Sequence, residues 1–160
     1  MSLGTTPFSR LPGGAPLARE WIESHIPHKG RMCLLDEVLS WDAARIRCRA
    51  TSHRLADNPL RAHGRLGAAC GVEYAAQAIA VHGAIMAATQ KSTMGAGLLT
   101  SVRNLVLLVT RLDDLETDLI ASAERLAGDE GSTLYEFTVS SAGRELLSGR
   151  AGIVFGAQRA

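Results

Sequence analysis

Neither sign of charge dominates the 160-residue sequence: 17 Lys and Arg stand against 16 Asp and Glu, interspersed rather than blocked. That argues against a nucleic-acid groove or a patch for an anionic membrane surface. Cysteine is scarce. Cys33, Cys48 and Cys70 are odd in number, widely separated and without metal-ligand spacing, so each reads as a small buried thiol in a reducing compartment. The 5 histidines are dispersed, with no close carboxylate or thiol pair, which argues against a metal site; no cofactor is expected. A basic-then-apolar leader is missing as well. Residues 1–16 are rich in Gly, Pro, Ser and Thr and read as a partly disordered tail, which with the reduced thiols points to the cytoplasm. No repeat or linker interrupts the remainder, so residues 17–158 are expected to form one domain with a substantial core.

What the chain does have is a long stretch with almost no polar face, Gly64 to Ala88, reading GRLGAACGVEYAAQAIAVHGAIMAA. A helix apolar all round is buried in a core or a membrane. Glu73, Gln77 and His82 would be costly in a bilayer, which favours a centrally buried helix with no membrane span. Around it the pattern is strand-like. Leu17 to His25 reads as a short amphipathic helix stopped near Pro27. Met32 to Leu39 reads as a first strand interrupted by Asp36 and Glu37, Asp42-Ala43 as a reversal, and Arg45 to Ala50 as an alternating, half-solvated strand. Thr51 to His63 reads as an irregular loop. After a polar exit over Gln90 to Gly97, strands are expected over Leu98 to Thr110, Asp118 to Leu126, Leu134 to Ser140 and Glu145 to Phe155. The result is an α+β layer architecture, an antiparallel sheet curled round one long helix.

Three stretches resemble one known family. Ile26-Pro27-His28, followed by the apolar run Met32 to Leu35 and then Asp36-Glu37-Val38, is similar to an Ile-Pro-His opening and a run ending Asp-Arg-Val. Glu73-Tyr74-Ala75-Ala76-Gln77-Ala78 resembles Glu-Ala-Met-Ala-Gln-Ala, and Asn58 to Gly64 resembles a loop ending Gly-His-Phe-Pro-Gly. These belong to the hotdog-fold 3-hydroxyacyl-acyl-carrier-protein dehydratases. The shortened loop, the Val-Glu-Tyr-Ala-Ala-Gln helix and the His82-Gly83 pair are similar to the dehydratase-like branch of aryl-polyene pathways. The resemblance implies a hotdog fold and a lyase acting on a 3-hydroxyacyl thioester carried by acyl carrier protein or CoA, in fatty-acid or polyene synthesis. It also implies a homodimer or higher oligomer whose sheets join, with His and Glu from opposite chains; a heterodimer with a related hotdog subunit is a further option. The His position departs from the family: His63 precedes Glu73 by 10 positions, and Pro59 stands where the family's spacing would put the imidazole.

Dehydration needs a base, an acid and a donor for the enolate oxygen. Glu73, sequestered in an apolar helix, is expected to be the acid, His63 the base and His53 the fallback base. Backbone N–H groups around Gly64 and Gly67, in the expected first helical turn, would serve as oxyanion donors. Gln77 would orient Glu73 or reach a ligand, being on the same helical face. The competing readings are structural: Glu73 paired with Arg103, His28 bonding turn backbone, His25 at a surface helix end, and His82 as a satisfied core histidine. Two other functions compete with the lyase. One is a hotdog thioesterase that uses Glu73 to activate water; the other is a non-catalytic hotdog subunit that binds acyl carrier protein.

Overall fold

The computed structural model describes residues 10–11, 13–14, 16–90, 97–129 and 131–155. Most of the expected N-terminal tail, 1–9, 12 and 15, and most of the expected polar exit, 91–96, lie outside the described residues. Helix α1 (Arg19–His25) leads through a 3₁₀ turn (Gly30–Met32) to β1 (Glu37–Trp41) and β2 (Arg45–Ala50). The long helix α2 (Gly71–Gln90) follows, then β3 (Gly97–Leu107), β4 (Leu119–Gly128), β5 (Ser132–Ser141) and β6 (Arg144–Phe155). All six strands join one antiparallel sheet in the order β1-β2-β4-β5-β6-β3.

Alternation decides which face of the sheet meets α2. In β2, Ile46, Cys48 and Ala50 are buried, while Arg45 and Arg47 face outward. Their partners across the ladder, Ala123, Ala121 and Leu119, are buried too, so the two strands present one apolar face as period-2 side chains require. The α2 residues Tyr74, Ala75, Ala78, Val81 and Ile85 fill that face. The Asp42 side chain accepts from the backbone N–H groups of Ala44 and Arg45 and so makes the reversal between β1 and β2, a local acceptor role typical of Asp in turns.

Two boundaries differ from the sequence expectation, both for tertiary reasons. Residues 64–67 are not helical. The Leu66 N–H donates to the Asp113 carboxylate and its carbonyl accepts from Leu112, while Ala68 N–H donates to Thr110 O. The segment's backbone polar groups are thus used by the chain leaving β3, and α2 starts only after a 3₁₀ turn at Ala68–Cys70. There Gly71 is required: a Cβ would meet Leu147 at 2.5 Å. The first strand also starts late. Met32 to Leu35 are not strand, because Gln77 of α2 takes their backbone groups: Gln77 Oε1 accepts from Leu34 N–H at 2.9 Å and Nε2 donates to Met32 O at 2.7 Å. Glu37, expected to interrupt the strand, begins it.

The loop after β2 is pinned beneath the helix by a buried polar cluster. Ser52 donates to Leu34 O, which leaves the Tyr74 hydroxyl to donate to Ser52 Oγ (2.7 Å), and Asn58 Nδ2 donates to Ser52 O and Tyr74 Oη. Every member is satisfied, as groups removed from water must be. The opposite extreme is β3. It lies at a sheet edge and exposes Leu98, Leu99, Val102, Leu105, Val106 and Leu107.

Candidate active site

Glu73 projects from the first turn of α2 and His28 from the segment before the 3₁₀ turn, and the two meet: His28 Nε2 lies 3.0 Å from Glu73 Oε1. Gln77 Nε2 donates to the same oxygen at 3.2 Å. One turn of helix separates Glu73 from Gln77, so a single amide ties the carboxylate, the helix and the incoming segment together. Both side chains of the pair remain partly open, Glu73 at 32% and His28 at 28%. Each keeps an unused atom. Oε2 of Glu73 takes none of the bonds found among the described residues, and His28 Nδ1 is buried there without a partner.

The pair stands at one end of a cavity of about 450 Å³. On the helix side the cavity follows Ala76, Ala80, Gly83, Ala84 and Ala87, a single face of α2; Leu98, Leu99, Ile153 and Phe155 close it from the sheet. A partly open carboxylate with a spare oxygen, beside an imidazole and at the end of an apolar channel, can move protons on an otherwise oily ligand. No group of three or more His, Cys, Asp or Glu residues among the described ones could hold a metal ion, and no described helix is long and apolar enough to cross a membrane.

The structure separates the expected site residues. Glu73 is at the cavity end with Gln77 buried behind it, and among the described residues no guanidinium neutralises Glu73; its partner is His28, which overturns the reading of that residue as bonding turn backbone. His25 does end α1, stacked on Trp21, but it also lines the cavity. His63 and Gly64 do not reach Glu73 within the chain. They are the central pair of a tight turn, with φ of 52° and 73°, closed by reciprocal bonds between Ala62 and Arg65. Two consecutive left-handed residues are what such a turn demands, so Gly64 serves the turn and His63 is exposed. Gly67 bridges Arg111 and lies ahead of the helix rather than in its first turn, so the expected oxyanion donors are not helical N–H groups. His53 is fully buried, its Nε2 at 3.2 and 3.0 Å from the carbonyls of Leu115 and Thr117; desolvation lowers its pKa and favours the neutral ring.

His82 is the satisfied core histidine that its position on α2 suggested. Nε2 donates to Asp42 O at 2.8 Å, which leaves Nδ1 to accept from the Tyr135 hydroxyl at 2.7 Å. Burial lowers its pKa and pushes that of Tyr135 up to about 12. His28 is the member of the candidate site that sequence reasoning undervalued. The available signal was its place in the Ile-Pro-His opening, two positions before a glycine at φ 57° that turns the chain back toward α2.

The chain is similar to several solved hotdog-type proteins. A chain of the dehydratase heterocomplex ApeI:P from Xenorhabdus doucetiae superposes with a TM-score of 0.75 at 23% identity, over 86% of this chain and 91% of that one. An HP0420 homologue from Helicobacter felis superposes at 0.61 and 15% identity, over 91% and 90%. A hypothetical thioesterase with coenzyme A from Streptococcus pneumoniae does so at 0.53 and 12%, over 78% and 88%. These confirm the hotdog fold expected from the sequence. A search of curated protein sequences gave no match. The model of the ApeP-like family, described as ApeP dehydratase, matches residues 20–158, nearly the whole chain, and the chain is therefore a member of the ApeP-like dehydratase family, a lyase of the dehydratase type.

Proposed function

We propose that the protein removes water from a 3-hydroxyacyl thioester carried by acyl carrier protein or CoA, with Glu73 as the proton carrier and His28 as its positioning partner. The observation that carries this is the Glu73–His28 contact of 3.0 Å at the end of an apolar cavity. In the reaction a proton leaves the carbon next to the thioester carbonyl, the carbon–oxygen bond at the next carbon breaks, and a double bond and water form. Glu73 Oε2 accepts the carbon's proton and returns it to the departing hydroxyl, so one carboxylate balances both transfers. His28 Nε2 and Gln77 Nε2 hold the other oxygen and fix the carboxylate's direction through the step, a role in which small misplacements are costly. His63, exposed on its turn, enters this chemistry only from a second subunit.

The assembly we propose is a dimer joined along β3, with an identical chain or a related hotdog subunit. β3 is an open edge whose backbone groups and apolar side chains await a partner strand, and Leu98 and Leu99 of that edge also wall the cavity. A heterocomplex is the state of the Xenorhabdus protein.

The test is turnover of a crotonyl-type thioester, by the chain alone and with a hotdog partner. Hydration of the double bond that Glu73→Gln abolishes is the expected result. Release of free thiol without hydration would show a thioesterase instead, and carrier binding with neither reaction would show a non-catalytic subunit. Val102→Lys in β3 is expected to dissociate the assembly in size-exclusion chromatography.

A further inference from the structure

Helix α2 contains two glycines, and they differ. At Gly71 a Cβ would collide with Leu147, so packing explains the residue. At Gly83 a Cβ would meet no atom within 4 Å. A glycine inside a helix loses more backbone freedom on folding than alanine and is unfavourable there. Packing among the described residues therefore does not call for glycine at 83, and what adjoins it is the cavity, which continues past it to Ala87. Ten residues of helix separate Glu73 from Gly83, roughly 15 Å at 1.5 Å per residue. Beyond the Glu73–His28 pair the lining is apolar apart from His25, Thr133 and Tyr135, and the Tyr135 hydroxyl is bonded to His82.

We propose that Gly83 determines acyl length: the substrate's acyl chain runs along α2 past this residue and occupies the space a side chain would fill. This rests on the dehydratase reading of the Glu73 site and adds to it the substrate class. The acyl group is apolar, extended and long, reaching on the order of 15 Å beyond the reacting carbons. A short acyl group would end within the first turns of the helix and leave the far half of the cavity empty.

The experiment compares 3-hydroxybutyryl and 3-hydroxytetradecanoyl thioesters on the wild-type assembly, Gly83→Leu and Gly83→Ala. In Gly83→Leu, kcat/KM for the long chain is expected to fall about tenfold or more, chiefly through KM, while the short chain changes by less than about threefold. Gly83→Ala, which costs no fold and removes a flexible position, is expected to raise Tm and to lower only long-chain kcat/KM, by a smaller factor. Equal effects on both chain lengths overturn the proposal. So does dissociation of the assembly by Gly83→Leu, which would mean that a partner side chain fills the space. A wild-type assembly that dehydrates neither thioester sinks the underlying reading, and that outcome is distinct because it does not involve the variants.

Discussion

Two imidazole–oxygen pairs sit on the same helix, and only one of them is finished. His82 and Tyr135 are buried, and both ring nitrogens of His82 are bonded, one to a hydroxyl and one to the Asp42 carbonyl. His28 and Glu73 are about one-third exposed, with a ring nitrogen and a carboxylate oxygen left over. On the proposed reading, the difference separates a structural polar pair from a working one. A buried group whose every valence is used contributes order and little else, whereas spare acceptors at a cavity wall are what a reaction needs.

The comparison is broken most severely at Glu73. Glu73→Gln keeps shape and the Gln77 contact but removes the proton carrier, and kcat is expected to drop about 10²- to 10⁴-fold with Tm within a few degrees of wild type. His28 comes next. His28→Ala is expected to lower kcat by about tenfold to a hundredfold, and His28→Gln, which restores an N–H near the Nε2 position, to recover part of that loss; equal activity in the two variants would remove His28 from the mechanism. At the finished pair the effect moves from rate to stability. His82→Ala orphans the Tyr135 hydroxyl and the Asp42 carbonyl and is expected to cost about 1–3 kcal/mol for each, read by urea unfolding. The smallest effect is in pH. His53 and His82 both have pKa values lowered by burial, so the unfolded chain binds their protons first. Their contribution is full above the unfolded value near 6.5 and falls away as pH drops toward the folded values, at most about 1.4 kcal/mol per pH unit for each ring. Replacing either ring should flatten the fall of Tm between pH 7 and 5.

The architecture was legible because its determinants are local. The Arg45 to Ala50 alternation and the mostly apolar character from Val72 to Ala88, with only Glu73, Gln77 and His82 to break it, specify a half-solvated strand and an enclosed helix without reference to anything distant. The site was legible only in its helical half. Glu73 and Gln77 share a face by helical geometry alone, but the third member, His28, arrives from 45 positions upstream through a turn at Gly30 and a clasp by Gln77, and no period in the sequence encodes that meeting. The turn at His63 and Gly64 was hidden for the same reason. A His-Gly pair ahead of a helix reads as a catalytic loop until the reciprocal bonds of Ala62 and Arg65 show a tight turn. The helix start was placed too early because Asp113, far along the chain, claims the backbone of Leu66.

The bare margin at β3 carries a cellular implication. Along its 11 residues β3 is paired with β6 on one side, while among the described residues its other side is open and flanked by leucine and valine, which invites an extended chain to add itself; a newly made molecule offers that invitation from the moment it folds. Its safe concentration is then set by the supply of whatever strand completes the sheet. If the proposed assembly along β3 holds, the protein overproduced by itself is expected to self-associate, and supply of the completing strand becomes a condition of solubility as much as of catalysis.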